Sequence, residues 1–262
     1  MRLLSRITIV YVVIALFVVV TLIGEACSPQ GDRRSITVFT AASLQAPLVD
    51  IAHEYSVLNG VDVHLNVGGS MSLANQITRG APADVFISAG STPTARLRAR
   101  NMVDSDNVRI WLTNELFMVT KLPNRFRHEG LEIVLANTVA IADPDLAPAG
   151  GYAKECLKTF GLWSQIEYTV VRSPNVRAAL ASVETGAADL AFIYRTDLLL
   201  SDTVEKVFEC PEGSHSPIQY LVSPITRGQE TTHADGFIKF LDSQYAIEIM
   251  GKHGFIVIDS LK

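Results

Sequence analysis

The sequence has few of the residues and none of the motifs on which common enzymes and metal centres depend. It contains three cysteines and six histidines in 262 residues, without a C-x-x-C pair or two neighbouring histidines at ligand spacing. A phosphate loop ending in Gly-Lys-Ser/Thr, a G-x-S-x-G turn and an S-x-x-K motif are also lacking. We therefore expect no enzyme, no cofactor and no side chains that bind a metal cation directly.

An excess of basic residues is lacking as well. The net charge is −5 at pH 7, whereas proteins that bind nucleic acid carry clustered positive charge. This balance argues against a nucleic acid partner. It does not argue against a small anion, because the N-terminus of a helix binds oxyanions through its free N–H groups and its dipole, without formal charge.

The longest uncharged run lies at the N-terminus. Residues 7–23 follow Arg2 and Arg6 and carry no charge, which places the run at the short limit of a membrane span. Small residues then precede Cys27, as at a cleavage site. We predict that residues 1–26 are a signal peptide or an N-terminal anchor, followed by a tether at residues 27–35.

Three interpretations of this segment stay open. A bacterial lipoprotein signal would be cut before Cys27, which would carry the lipid, although Gly24 and Glu25 depart from the usual lipobox. An uncleaved anchor and simple secretion are the alternatives. All three export the rest of the chain, so we expect a periplasmic or cell-surface protein tethered through Cys27 or an uncleaved helix. In an exported protein Cys156 and Cys210 could pair, but buried free thiols explain them equally well.

After the tether, strand-like and helix-like segments alternate. Apolar strand patterns are followed by helical stripes that end at glycine, as at residues 36–39 and 44–58. Further strands are predicted at residues 61–67, 85–88, 116–120, 139–142, 167–171, 190–194 and 219–223. This alternation predicts an α/β fold with mainly parallel sheets, which bind ligands where strands end and helices begin.

Two of these junctions carry a serine. Ser43 follows the first strand and Ser70 follows the pair Gly68-Gly69 after the second. A helix start exposes N–H groups, serine adds a hydroxyl donor, and glycine lets the backbone approach closely. Each junction alone is an ordinary helix cap.

The same design recurs later in the chain. Pro148-Ala149-Gly150-Gly151 opens one helix, and Asn175, a candidate N-cap, precedes Val176 at the start of another. Tyr194 ends a buried strand, so its hydroxyl is expected at the ligand end of a sheet. Together these junctions predict one convergent anion site.

The segments that carry this design resemble the periplasmic molybdate-binding protein of ABC importers. The resemblance rests on Thr40-Ala41-Ala42-Ser43-Leu44, on Gly69-Ser70-Met71-Ser72-Leu73-Ala74-Asn75-Gln76-Ile77 and on Gly80-Ala81-Pro82-Ala83-Asp84. It continues through Pro148-Ala149-Gly150-Gly151-Tyr152-Ala153-Lys154-Glu155, Asn175-Val176-Arg177, Ile193-Tyr194 and Gly254-Phe255. It is weakest around Ser70, where Gly68-Gly69 replaces a more serine-rich run.

The resemblance implies a two-lobed periplasmic-binding-protein fold in which each lobe is a mainly parallel sheet flanked by helices. The chain would cross the hinge twice, near residues 115–120 and 219–223. Lobe 1 would then comprise residues 36–116 and 222–262, and lobe 2 residues 117–221.

The resemblance also implies the ligand and the partners. The oxyanion would be held by the hydroxyl and N–H groups of Ser43 and Ser70, the N–H groups of Ala149 and Val176, and the hydroxyl of Tyr194. The protein would be the monomeric extracytoplasmic component of an ABC importer that delivers molybdate or tungstate to a membrane permease. The alternatives are a binding protein for sulfate or another oxyanion, and an exported enzyme or sensor ectodomain on the same fold.

Overall fold

The computed structural model describes residues 34–126, 130–226 and 231–258. The predicted signal or anchor segment, Cys27 and most of the tether lie outside the described residues. Within these ranges the chain forms eleven strands, β1–β11, and nine α-helices, α1–α9, numbered here in chain order. No helix among them is long and apolar enough to cross a membrane.

The first sheet has six strands in the order β11-β4-β10-β3-β1-β2. They are β1 (Ser35–Ala41), β2 (Asp62–Gly68), β3 (Val85–Ala89), β4 (Arg109–Thr113), β10 (Gln219–Pro224) and β11 (Ile256–Val257). Its helices are α1 (Gln45–Asn59), α2 (Ser70–Thr78), α3 (Ser91–Arg98), α8 (Thr231–Phe240) and α9 (Gln244–Lys252). We name this sheet with its helices lobe 1.

The second sheet has five strands in the order β7-β6-β8-β5-β9. They are β5 (Leu116–Lys121), β6 (Val139–Ala142), β7 (Val171–Ser173), β8 (Leu190–Tyr194) and β9 (Val204–Glu209). Its helices are α4 (Pro148–Thr159), α5 (Trp163–Ile166), α6 (Val176–Glu184) and α7 (Arg195–Leu198). We name this sheet with its helices lobe 2.

Each sheet contains one group of strands that pair parallel. β1 pairs parallel with β2 and β3, and β6 pairs parallel with β7 and β8. The remaining neighbours pair antiparallel, namely β10 with β3 and β4, β11 with β4, and β5 with β8 and β9. The α/β class with two helix-flanked sheets is confirmed, but the parallel share is smaller than expected because the strands next to the crossings run in the reverse direction.

The chain passes between the sheets at residues 114–115 and again at residues 210–218. The first passage is only two residues long, and β10 belongs to the first sheet over its whole length. Both strands at which we expected the crossings, β5 and β10, are thus regular sheet members, with the passages just before them. The division into two moving lobes with the boundaries given above stays a prediction.

Alternating side chains fill the two faces of the first sheet. In β1, Val38 joins the main core, which continues through both sheets, whereas Phe39 joins a second cluster with Leu73, Ile77 and Phe86. This alternation is the two-residue period of a strand covered by helices on both faces.

The strand predicted at residues 167–171 is wrong. That segment turns after α5, with the Val170 N–H donating to the Ile166 carbonyl, and the short strand β7 begins only at Val171. Tyr168 in this segment is 91 % exposed, so the alternation of its residues does not correspond to a buried strand face.

Cys156 and Cys210 form a disulfide, with their Cα atoms 6.1 Å apart. The bond joins α4 to the beginning of the second passage between the sheets. Of the two possibilities that the sequence left open, the structure has the paired one.

Candidate functional site

A small cavity lies where strands of both sheets end and helices begin. Its volume is about 10 Å³, roughly what a single water-sized guest requires. Its lining consists of Ala41, Ala42, Ser43, Gly68, Gly69, Ser70, Ala89, Ala147, Pro148, Ala149, Asn175, Val176 and Tyr194. The lining contains no charged residue, and its size suits a small ion.

Ser43 reaches the cavity from the end of β1. It lies in a one-turn 3-10 helix, Ala42–Leu44, that leads into α1, and it is 1 % exposed. Its Oγ is 2.8 Å from the hydroxyl of Tyr220, and that hydroxyl accepts a hydrogen bond from Asn114 Nδ2 at 3.2 Å. The side chain of Ser43 is thus held by residues from β10 and from the first passage between the sheets.

Ser70 enters from the neighbouring strand as the first residue of α2. At this position its N–H has no acceptor within the helix. Its Oγ accepts a hydrogen bond from the Ala89 N–H at 3.0 Å, so its own proton stays available for another acceptor. Ser70 therefore presents two donors, one from the backbone and one from the side chain.

Ala149 is the second residue of α4, after Pro148 at the first position. Its N–H belongs to the first helical turn, where donors lack intrahelical partners, and proline at the first position removes a donor that would have none. Gly150 has a packing role, because a Cβ there would collide with the Ala142 carbonyl oxygen. Gly150 is required for close packing of α4 on β6, whereas Gly151 faces open space.

Val176 is the first residue of α6. The predicted N-cap is confirmed, since Asn175 Oδ1 accepts a hydrogen bond from the Ala178 N–H at 3.0 Å. The cap satisfies a donor of the third helical position and leaves the Val176 N–H for another acceptor. Val176 thus brings a second backbone donor of lobe 2 to the cavity that it lines.

Tyr194 ends β8 and is 1 % exposed. Its hydroxyl has no hydrogen-bond partner among the described residues, an unusual state for a buried phenol. Burial first, and then the nearby Tyr220, Tyr152 and Asp197, raise the pKa of Tyr194 well above its ordinary value. The phenol therefore keeps its proton and is a neutral donor.

Asp197 ties two of the lobe 2 elements together. Its Oδ2 accepts a hydrogen bond from the Tyr194 N–H at 3.1 Å, and its Oδ1 is 2.8 Å from Arg177 Nε. Burial raises the pKa of Asp197 to about 6, although Arg177 and the Tyr194 N–H act in the opposite direction. At neutral pH the carboxylate is ionised and neutralises the positive charge of Arg177, which follows Val176 in the sequence. The cavity wall therefore stays electrically neutral.

The two lobes touch directly beside the cavity. The N–H groups of Met71 and Ser72, in the first turn of α2, donate to the Leu146 carbonyl oxygen of lobe 2 at 3.0 and 3.1 Å. Gly69 precedes them, and a Cβ there would lie 2.6 Å from that same oxygen and 2.7 Å from the Pro174 oxygen. The approach of the lobes therefore depends on the missing side chain of Gly69.

All five residues predicted to hold the ligand, Ser43, Ser70, Ala149, Val176 and Tyr194, line this one cavity. They follow the ends of β1 and β2 in the first sheet and of β6, β7 and β8 in the second, and within each sheet these strands pair parallel, which is the geometry that the strand–helix alternation predicts. That they contact a bound ion stays a prediction. In residues 34–126, 130–226 and 231–258, no group of three or more acidic, histidine or cysteine side chains could hold a metal ion.

The sequence did not predict three residues that support the site, namely Tyr220, Asn114 and Asp197. Tyr220 reaches Ser43 across 177 positions and Asn114 reaches Tyr220 across 106, so no local motif links them. Asp197 carries one available signal, since it lies three residues after Tyr194 as in a capping box.

Residues 36–256 match the model of a family described as bacterial extracellular solute-binding protein. Among curated proteins, the molybdate-binding protein ModA of Escherichia coli K12 is 33% identical over 233 residues, which cover 86% of this chain and 90% of that protein. A putative ABC transporter substrate-binding lipoprotein of Bacillus subtilis, YvgL, is 29% identical over 88% of this chain and 92% of its own length.

A solved structure gives the same picture of the fold. The periplasmic molybdate-binding protein of Azotobacter vinelandii superposes with a TM-score of 0.76 at 22% identity, covering 86% of this chain and all of that one. The likeness at this identity concerns the fold, and it agrees with the two helix-flanked sheets described above.

Proposed function

Because this chain belongs to the bacterial extracellular solute-binding protein family, we propose that it captures molybdate between its two lobes and delivers it to the membrane permease of an ABC importer. The curated relatives named above are binding components of transport systems and not enzymes. The protein is accordingly a carrier whose chemistry consists of binding and release.

One observation carries the proposal. Five donor-bearing residues from both sheets line a single small cavity whose lining contains no charged residue. We propose that Ser43 and Ser70 bind the ion through hydroxyl and N–H groups, Ala149 and Val176 through N–H groups, and Tyr194 through its hydroxyl. Hydrogen bonds to an ionised acceptor are about twice as strong as neutral ones, so several neutral donors suffice for a dianion.

The set of donors favours an ion that only accepts hydrogen bonds. Molybdate, tungstate and sulfate carry no proton at neutral pH, whereas phosphate keeps one that needs an acceptor. A buried donor without a partner costs about 1–3 kcal/mol, and this penalty acts against phosphate. The size of the cavity must separate sulfate from the larger molybdate, and tungstate is expected to bind as molybdate does.

Binding and delivery follow from the two-lobed construction. The donors of the two lobes face one ion only when the lobes are close, so the ligand stabilises the closed form by contacts that the open form lacks. A permease that recognises the closed form would then accept loaded protein in preference to empty protein. The passages at residues 114–115 and 210–218 are the proposed hinge.

The location follows from the family, which is extracytoplasmic. We propose further that a lipid on Cys27 tethers the protein to the membrane. The named lipoprotein relative from Bacillus subtilis supports this form of attachment. We also propose that the protein acts as a monomer, since one chain supplies both walls of the cavity.

A thermal-shift panel tests the proposed ligand. Molybdate, tungstate, sulfate, phosphate and chloride are added separately to the purified exported portion of the chain. A ligand at about 1,000 times its Kd adds about 4 kcal/mol to the free energy of unfolding, which corresponds to roughly 8–16 °C in Tm for a domain of this size. Molybdate and tungstate should give the largest shifts.

The panel separates the alternatives. A larger shift with sulfate than with molybdate would make the protein a sulfate carrier. The absence of a shift with every oxyanion would instead favour a sensor or enzyme on the same fold and would overturn the proposed function.

A further inference from the structure

Behind Ser43 lies a chain of hydrogen bonds, and a backbone N–H fixes the direction of its first bonds. It starts at Asn114, in the first passage between the sheets. The Glu115 N–H donates to one side-chain atom of Asn114 at 3.0 Å. Because a backbone N–H can only donate, this atom must be the amide oxygen, and the other atom is the NH₂ group.

The NH₂ group then determines the role of Tyr220. It donates to Thr196 Oγ1 at 2.8 Å and to the Tyr220 hydroxyl oxygen at 3.2 Å. Tyr220 is fully buried, and burial above all raises the pKa of its phenol, so it keeps its proton. Its oxygen accepts from Asn114, and the acceptor 2.8 Å away for its own proton is Ser43 Oγ.

The last step sets the role of Ser43. Either hydroxyl could donate across the 2.8 Å between Tyr220 and Ser43. With Tyr220 as the donor, Ser43 Oγ accepts, and the proton of Ser43 is free to turn toward the cavity that Ser43 lines. Ser70 is in the same situation, because its Oγ accepts from the Ala89 N–H. Both hydroxyls of lobe 1 therefore face the cavity as donors.

We propose that Asn114 and Tyr220 are specificity-determining residues that hold Ser43 as a hydrogen-bond donor and thereby select fully deprotonated oxyanions over protonated ones. The inference rests on the proposed function and deepens it. Neither residue lines the cavity, so both are positioning residues that act through Ser43. Without them the Ser43 hydroxyl would be free to rotate and to accept a proton from an ion such as hydrogen phosphate.

The variant Tyr220→Phe tests the proposal, because it removes the hydroxyl and keeps the ring. Kd values are measured by calorimetry for molybdate, sulfate and phosphate above the second pKa of phosphate, where all three are dianions and only phosphate has a proton. We expect about 10-fold weaker binding of molybdate and of sulfate and less than about 3-fold for phosphate. The molybdate-to-sulfate ratio should stay unchanged, whereas the molybdate-to-phosphate ratio should fall.

A second variant reverses the chain of hydrogen bonds. In Asn114→Asp the carboxylate still accepts from Glu115 but cannot donate to Tyr220, whose proton then turns toward the carboxylate. Ser43 would donate to Tyr220 and present lone pairs to the cavity. The molybdate-to-phosphate ratio should fall further than in Tyr220→Phe, and the added negative charge acts equally on the three dianions.

Tyr152→Phe is the matched control. Tyr152 is a buried tyrosine whose hydroxyl lies 3.5 Å from the Pro217 carbonyl oxygen. It does not belong to the chain of hydrogen bonds behind Ser43. All three affinities should stay within about 2-fold of the wild-type values. Tm values without ligand show that each variant folds.

Three results would overturn the inference. They are equal losses for the three anions in Tyr220→Phe, unchanged affinities in that variant, and a molybdate-to-phosphate ratio that does not fall in Asn114→Asp. A wild-type protein that binds no oxyanion would overturn the proposed function and this inference with it, so the two failures are distinguishable.

Discussion

The two lobes present their donors to the cavity in different states. In lobe 1, the hydroxyl oxygens of Ser43 and Ser70 are already engaged by Tyr220 and by the Ala89 N–H. In lobe 2, the Tyr194 hydroxyl has no partner among the described residues, and Ala149 and Val176 offer first-turn N–H groups. Both lobes thus offer free first-turn N–H groups, but lobe 1 holds its hydroxyls in place through its own hydrogen bonds, whereas the hydroxyl of lobe 2 has no such partner among the described residues.

Because of this difference, we expect the two lobes to contribute differently to ligand binding. A preorganised wall binds with little loss of side-chain freedom, because its donors are already oriented. Unsatisfied buried donors are costly, about 1–3 kcal/mol each, and an ion that satisfies them draws the second wall toward the first. We therefore expect the ion to bind lobe 1 first and lobe 2 to supply the gain from closure.

The largest loss of molybdate binding is expected when the two hydroxyls of lobe 1, those of Ser43 and Ser70, are removed. Ser43→Ala combined with Ser70→Ala should weaken molybdate binding by about 3–6 kcal/mol, since each hydrogen bond to a charged group contributes about 1.5–3 kcal/mol. The unliganded protein should also lose about 2–6 kcal/mol of unfolding free energy, because Tyr220 and the Ala89 N–H lose their partners at about 1–3 kcal/mol each. Calorimetry and urea unfolding measure the two quantities, and full affinity in the double variant would contradict the assignment of both serines.

Removing the Tyr194 hydroxyl of lobe 2 should weaken ligand binding without lowering the stability of the unliganded protein. Tyr194→Phe is expected to weaken molybdate binding by about 1.5–3 kcal/mol while the unliganded protein keeps its unfolding free energy or gains some, since the hydroxyl has no protein partner to lose. The same two measurements apply. A loss of stability like that of the serine variant would show that the two walls do not differ in preorganisation.

A smaller effect is expected where the lobes touch. Gly69 has ordinary φ and ψ values of −67° and 128°, so Gly69→Ala imposes no local strain, but its Cβ would collide with the Leu146 and Pro174 oxygens. Overpacking of this kind costs about 1–3 kcal/mol, and it acts on the closed form alone. Molybdate affinity should fall about 5–100-fold, and the compaction on ligand binding seen by small-angle X-ray scattering should shrink.

Gly151→Ala is the control for this variant, because a Cβ at Gly151 meets nothing within 4 Å. It lies in α4, where alanine is the better helix former, so affinity should be unchanged and Tm equal or higher. Undiminished affinity and full compaction in Gly69→Ala would show that closure does not depend on the contact with Leu146.

Most of the site could be predicted from the sequence because its elements are local. Ser70, Ala149 and Val176 owe their free N–H groups to the helix starts that they occupy, and these are encoded by neighbours such as Gly69, Pro148 and Asn175. The strand–helix alternation then brings such starts to one edge of a sheet. Short-range patterns thus determined the α/β class and the anion-binding character of the cavity lining.

Other parts of the fold could not be read in this way. β9 lies at the edge of its sheet, and in its sequence, VEKVFE, charged residues interrupt the apolar run. The apolar run before Val171 fits a helix end as well as a strand. For such short segments, pairing with neighbouring strands decides the conformation, and pairing is a property of the whole sheet.

By itself, then, the sequence determined which residues can donate to an anion, because a helix start and its cap are written within a few positions. Only the tertiary structure decided how those donors are held and oriented. The partner of Ser43 is 177 positions away, the disulfide spans 54 positions, and Gly69 matters through carbonyl groups of the other lobe. Such contacts depend on how the two sheets approach each other, and no local pattern encodes that approach.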